Sequence, residues 1–369
     1  MTIDRRRSMV RDAQGSAKRW AKRTAALATA AACAMAGAAP PPADPIPAAQ
    51  ARQIAARIVD LVETRGLPPR EPQAYAQAKR AVTAIVENDG EAVDRRTLYA
   101  RVKVMLDTLD ADGHSFIMTP VVRKYQNKRP MAGMEAPRFA LVETAAGKVL
   151  HWTPPQTVDG ATEARAAYLK GFIDDASALP GFEETCALVV DLSAQHGGNA
   201  WPPLIAMRPL FSTTNSGAFV DRDGKRTRFV HPPSLEDMQR QLTGGTANPL
   251  SRFAGLPLAV VVDRFTSSAG EMLLVALLGE GGRTRSFGRT SQGMTTANRT
   301  YTLDDGSYFM LSEKRYAVGN AAPIRGGIVP QQAATADEPR SAIVLRAAQW
   351  AASESPLCKA QRTSTAALK

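Results

Sequence analysis

Residues 258–278 read LAVVVDRFTSSAGEMLLVALL. The five apolar residues Leu258–Val262 predict a strand buried on both faces, because a half-buried strand would alternate apolar with polar. Ala269 to Leu278 is again apolar and predicts a buried helix that starts straight after the strand. A strand running directly into a helix is the unit of a parallel sheet. The junction between them stands at the carboxyl end of the strands, where open α/β sheets place their sites. Ser268 occupies that junction, at the helix N-terminus, where unpaired N–H groups and the positive end of the helix dipole favour developing negative charge. Read locally, Ser268-Ala269-Gly270-Glu271 is S-x-x-E, the pattern of a capping box. Capping does not call for the two small residues after the serine. Ala269 and Gly270 would let a substrate come close to the backbone.

The pattern extends on both sides. Cys186–Leu192 is a second nearly continuous apolar strand, followed by the loop Gln195-His196-Gly197-Gly198 and a helix opening on Pro202-Pro203. Helical spacing predicts helices from Ala48, over about 73–88, over about 95–109, and from Thr162 to Ala178. Phe139–Glu143 and Lys148–Trp152 predict a pair of strands. Residues 284–318 predict strands joined at Asp304-Asp305-Gly306, and Ser341–Ala351 a helix. Strands alternating with helices mean an α/β protein with parallel strands in its core, preceded by a small N-terminal helical subdomain.

The N-terminal residues account for most of the charge. Residues 1–24 carry eight Lys or Arg and two acids, so more than half of the net +11 lies there. The remainder holds no basic cluster interleaved with aromatics, which argues against a nucleic-acid partner. The basic start leads into the uncharged run Ala25–Ala36, which ends in the small-x-small pattern Ala34-Met35-Ala36. This is the layout of a secretory signal peptide, too short and too weakly apolar to span a membrane. The expected plan is a signal peptide over 1–36, a Pro/Ala linker over 37–47, the helical subdomain over 48–115, the core over 116–352 and a polar tail over 353–369. Export makes the protein periplasmic or secreted; Cys33 as a lipoprotein cysteine is the lesser alternative. Cys186 and Cys358 then remain either as a disulfide or as buried thiols. No His/Cys/Glu group has ligand spacing, so neither metal nor cofactor is expected.

Six short segments in order resemble the tail-specific (C-terminal-processing) serine peptidases of family S41. Asp263-Arg-Phe-Thr-Ser-Ser-Ala-Gly-Glu271 resembles their nucleophile segment, with the serine three residues before a glutamate. Leu109-Asp-Ala-Asp-Gly-His-Ser115, Val189-Val-Asp-Leu192 with Gly197-Gly198-Asn199, Gly282-Arg283 with Gly288, Asp305-Gly-Ser307 and Gly327-Ile-Val-Pro330 resemble the others. The resemblance implies a ClpP/crotonase-like core and a peptide or protein substrate. It implies Ser268 as nucleophile, and an oxyanion hole formed by Gly197 and Gly198 with the N–H of Ala269. Residues 118–160 are too few for the PDZ domain that many relatives insert there.

The base departs from the usual pattern. Met294 stands where many relatives carry a lysine, and a thioether accepts no proton. The branch typified by the tricorn core, similar in part to the repeats of interphotoreceptor retinoid-binding protein, uses a histidine from the "HS" segment. His114 fits that place, with Ser115 beside it as an orienting candidate, and His196 is its rival. Where that branch has an orienting glutamate this chain has Ile324 and Arg325, and its later aspartate is Gln331. Glu313 is a candidate substitute for the orienting acid. Three readings follow: a serine peptidase, a peptide- or ligand-binding protein on the same fold with an incomplete catalytic set, or an acyl-ester hydrolase. Fold alone does not choose among them.

Overall fold

The structure, a computed structural model, describes residues 44–87, 91–109, 114–120, 138–157, 160–212 and 216–367. The expected signal peptide, 1–36, and most of the expected linker, 37–47, lie outside the described residues.

The protein is mixed α/β, as the sequence pattern predicts. Its centre is a six-stranded sheet. In chain order the strands are β2 (Arg138–Thr144), β3 (Gly147–Thr153), β4 (Thr185–Asp191), β7 (Leu258–Val262), β8 (Thr284–Gly288) and β11 (Gln332–Ala333). The spatial order is β11-β8-β7-β4-β3-β2. All neighbours run parallel except the hairpin β2–β3 at one edge. The two central strands are the two apolar runs, and every residue of each is buried. Their side chains alternate between two cores. Leu188 and Val190 of β4 pack with Leu258, Val260 and Val262 of β7, under helices α4 (Thr162–Ser177) and α7 (Ala269–Leu278). On the opposite face Ala187, Val189, Ala259 and Val261 meet Ala347, Ala348 and Ala351 of α8 (Arg340–Glu354). Small residues on both sides let α8 lie close against the sheet.

A second, antiparallel sheet carries β9 (Thr296–Thr302), β10 (Tyr308–Val318), β5 (Gly217–Asp221) and β6 (Arg226–Arg228), in the order β9-β10-β5-β6. The short strand β1 (Phe116–Met118) also pairs with β10. The predicted N-terminal helices form as α1 (Ala48–Thr64), α2 (Pro72–Val86) and α3 (Arg95–Asp107). Their apolar faces close on one another and on Leu303, Phe309 and Leu311, so the helical region shares a core with this second sheet. Tyr99 of α3 donates to Asp305 Oδ2 (2.7 Å), which anchors the helices to the β9–β10 turn.

Two stretches depart from the sequence pattern. No element is predicted over 207–257, which holds β5, β6 and α6 (Pro232–Thr243), just after the short helix α5 (Trp201–Ala206). Within the polar tail expected over 353–369, Pro356–Ala367 forms helix α9. A disulfide between Cys186 of β4 and Cys358 of α9 fastens this helix to the sheet, and both sulfurs are buried. Composition pointed to a tail because the attachment is one buried cysteine with Leu357 beside it, not a long apolar stripe.

Candidate active site

Three loops leave the carboxyl ends of adjacent parallel strands β4, β7 and β8, and hydrogen bonds tie them together. Ser267 N–H donates to Gln195 O at 3.0 Å, Thr266 Oγ1 to Leu192 O at 2.8 Å, and Gln292 N–H to Thr266 O at 2.9 Å. Thr266 Oγ1 also accepts from Asp263 N–H at 3.0 Å, which tightens the turn out of β7. The packing requires small residues. A Cβ on Gly270 would lie 2.6 Å from Gln195 O. Gly270 is therefore held by packing against the neighbouring loop as well as by any need for substrate access.

Ser268 sits at φ 51° and ψ −107°, and among the described residues it is the one non-glycine with positive φ. An N-cap serine normally lies in the β region. A backbone held in so sparsely populated a region costs on the order of 1–3 kcal/mol and persists only where its surroundings enforce it. Glu271 does much of the enforcing. Its Oε2 accepts the Ser268 N–H at 2.9 Å, the glutamate arm of the predicted capping box. Its Oε1 accepts Ser291 Oγ at 2.6 Å and Gly293 N–H at 2.7 Å. The fully buried carboxylate thus locks the serine turn to the loop after β8. Its charge adds to burial in raising the Tyr316 phenol well above the ordinary tyrosine range, so Tyr316 stays protonated.

Ser268 opens onto a cleft of about 740 Å³. The cleft is lined by His114, His196, Gly197, Gly198, Ala269 and Met294, so all the sequence candidates except Ser115 and Glu313 meet in one place. Gly197 (φ 113°) and Gly198 (φ 102°) adopt conformations that favour glycine. A Cβ on Gly197 would stand 3.2 Å from Ser268 Cβ. Ala269 is the first residue of α7, so its N–H has no acceptor one turn earlier in the helix. His196 packs its ring at 5.7 Å from that of Phe265, on the rim. Met294, in the lysine place, accepts a hydrogen bond from Ser267 Oγ at 3.4 Å. The rest of the lining is largely apolar, including Phe219, Met272 and Met310.

His114 reaches the cleft because β1 adds to β10 and carries the segment before it across the second sheet. Its Nδ1 lies 2.6 Å from Thr296 Oγ1. Ser115 Oγ turns instead to Ser312 N–H at 3.1 Å and fastens the segment to β10. Glu313 is not brought to His114: its carboxylate accepts from Tyr301 OH. The β9–β10 register slips here, with Ala297 facing Lys314 and Asn298 facing Ser312, so Glu313 is the extra residue of a bulge. Gln331, in the place of the family aspartate, bonds Ser286 through its own side chain and backbone and acts structurally. Sequence reasoning missed Thr296, Asn298 and Ser312, which form a hydrogen-bonded group behind the histidine. Polar residues at i and i+2 of a strand were a signal that they share a face, but nothing local says which strand they face. Among the described residues no group of three His, Cys, Asp or Glu is placed to hold a metal.

Residues 159–334 match the model of peptidase family S41. A stretch of 130 residues is 30% identical to the nisin-resistance protein of Lactococcus lactis subsp. lactis, covering 34% of this chain and 38% of that protein. The matched stretch thus spans well under half the length of this curated relative. The structure of a lipoprotein from Streptococcus agalactiae is similar at a TM-score of 0.59 and 19% identity, over 86% of this chain and 98% of that one. The photosystem II D1 C-terminal processing protease is similar at 0.55 and 14%, over 81% and 97%. At these identities the structural likeness is one of fold. The family resemblance read from the ordered segments is borne out by the match.

Proposed function

From the match to peptidase family S41 over residues 159–334, we propose that this chain is an exported serine peptidase in which Ser268 is the nucleophile and His114 the general base. The observation that carries the reading is that both line one cleft at the carboxyl edge of the sheet, with Ser268 in a strained conformation. Strain of this kind clusters at functional sites, and a serine on a sharp strand-to-helix turn exposes its Oγ. In the proposed reaction Ser268 Oγ bonds to the scissile carbonyl carbon while its proton passes to His114. The carbonyl π pair moves to oxygen, where backbone N–H groups of the Gly197-Gly198 loop and of Ala269 receive it. Collapse breaks the C–N bond, and His114 returns the proton to the leaving amine. Water, deprotonated by His114, then hydrolyses the acyl-serine ester.

Export is supported by the Cys186–Cys358 disulfide, since such bonds persist in oxidising compartments. Among the described residues no helix is long and apolar enough to cross a membrane. The name of the Lactococcus relative makes nisin one substrate to try. A second reading, a binding protein on the same fold, is favoured by Met294, whose thioether stands beside Ser267 and supplies no proton acceptor.

A fluorophosphonate probe separates the two. Labelling of the wild type that is lost in Ser268→Ala and falls at least a hundredfold in rate in His114→Ala, a loss typical of a general base, is the expected result. His196→Ala is expected to label nearly normally. Failure of the wild type to label between pH of about 6 and 9, the range that covers a histidine base, would favour the binding protein. Hydrolysis of a peptide amide, rather than of an ester alone, is the readout that separates a peptidase from an esterase.

A further inference from the structure

The hydrogen bonds behind His114 carry a further step, which rests on the proposed role of that histidine. Thr296, Asn298 and Ser312 converge on one amide oxygen. Thr296 Oγ1 donates to Asn298 Oδ1 at 3.3 Å, and Ser312 Oγ donates to the same oxygen at 3.0 Å. The two hydroxyls lie 3.2 Å apart, and Thr296 Oγ1 is 2.6 Å from His114 Nδ1. Thr296 and Ser312 are each 1% exposed, and His114 is 7% exposed.

The direction of these bonds follows from Asn298. Its Nδ2 donates to the carbonyl oxygen of His114 itself at 3.3 Å. A flipped amide would set two carbonyl oxygens face to face, so Oδ1 must point at the hydroxyls and can only accept. The Thr296 proton is then directed to Asn298, and a Thr296 lone pair faces His114 Nδ1. A lone pair there calls for a proton on Nδ1. In the reverse, with Thr296 donating to a bare Nδ1, Asn298 Oδ1 keeps only Ser312 of its two hydroxyl donors.

We propose that Thr296 and Asn298 form a neutral hydroxyl–amide relay that holds His114 in the Nδ1–H tautomer, leaving Nε2 as the proton acceptor toward the cleft. They are positioning residues. The hydrogen bond at one imidazole nitrogen decides which nitrogen is free to act. A carboxylate in this place would also stabilise the imidazolium that forms during reaction. The relay, being uncharged, sets tautomer and orientation alone. It accounts for the orientation of the histidine with Glu313 turned away to Tyr301.

The test uses the full chain with 15N-labelled histidine. It holds four histidines, and the His114→Ala spectrum assigns the ring signals of His114. Above the ring's titration, the wild type is expected to show Nδ1 protonated and Nε2 bare. Thr296→Val is expected to lose that preference and to lower kcat roughly ten- to a hundredfold, the usual scale for orienting partners, with KM within about twofold. Thr296→Ser, which keeps the hydroxyl, is expected to restore both. A wild type with the proton on Nε2 would overturn the relay, as would a Thr296→Ser variant as impaired as Thr296→Val. Should Thr296→Val fail to fold, the wild-type tautomer and the serine variant still decide the matter. If the wild type neither hydrolyses peptides nor takes up a fluorophosphonate, the peptidase reading fails, and the tautomer spectrum judges the relay independently.

Discussion

Ser268 and Gly197 lie against each other at the cleft, and each holds a backbone conformation rare for residues other than glycine. For Ser268 the group that enforces it is Glu271, which links the serine turn to the loop after β8. At Gly197 the serine leaves no room for a side chain, since an added Cβ would press on Ser268 Cβ. Gly197→Ala should therefore damage activity more than stability. The methyl group would push the loop from the serine and strain a φ of 113°. On the proposed mechanism, loss of one aligned oxyanion donor lowers kcat by about 10²–10³. The melting temperature should fall only by what about 1–2 kcal/mol of backbone strain removes. Unchanged turnover in a folded Gly197→Ala protein would remove this loop from the oxyanion site. At this scale Ser268 stood out in the sequence because an ordered set of motifs surrounds it. The hydrogen-bonding of Glu271 to Ser291 and Gly293 was not, since S-x-x-E reads locally as a helix cap alone.

Among the elements, the buried strands were the most legible. Seven consecutive buried residues in β4 and five in β7 leave no solvent face, and an apolar run of that length between turns is too short for most helices and suits a strand covered on both sides. β5, β6 and α6 were hidden for the opposite reason. β6 is the exposed three-residue Arg-Thr-Arg, too short to show a period, and α6 opens on Pro232-Pro233 and buries only Pro232 and Leu235. Helix α9 is held to the sheet by few side chains, with Leu357 packed beside the cysteine. Its attachment is Cys358, bonded to Cys186 in the central strand and fully buried. Replacing Cys358 by Ser should lower unfolding free energy by about 2–4 kcal/mol, the usual range for a native disulfide. The same loss should follow from adding reductant to the wild type in a urea titration. A midpoint unaffected by either change would mean that α9 holds without the bond.

At the scale of the molecule, the two sheets, the N-terminal helices and α8 are joined by a few buried polar contacts as well as by their cores. One lies beside the edge hairpin, at β3. Asp191, fully buried at the end of β4, accepts from His151 Nε2 at 3.0 Å, from Arg340 at 2.7 Å and from Ser193 N–H at 2.9 Å. Burial alone would raise this carboxyl. The histidine, the arginine at the start of α8 and the amide more than offset it and hold the group below the usual carboxylate range. A depressed folded value stabilises the protein above the unfolded carboxylate pKa of about 3.9, and that contribution is lost as pH falls through the folded value. Asp191→Asn should cost about 2 kcal/mol at pH 7. That is less than for a wholly buried pair, because Arg340 is half exposed and keeps its hydration. The gap from wild type should close below a pH of about 4. A gap of constant size from pH 7 to 3 would show that packing, not charge, accounts for it.

What the amino-acid sequence settled by itself was whatever depends on short-range pattern: the α/β class, the two buried central strands, the helix that follows Ser268, and the ordered segments that resemble peptidase family S41. These are legible because burial on both faces, helical period and strand-to-helix turns are written in neighbouring residues. Only the tertiary structure decided what joins distant segments. It brought His114 into the cleft of Ser268 by adding β1 to β10, turned Glu313 outward at a bulge, set Thr296 and Asn298 behind the histidine, and closed Cys186 on Cys358. Each of these depends on strand pairing and register. A one-residue slip exchanges the faces of a strand without altering its local pattern, so no local reading of the sequence could have chosen among them.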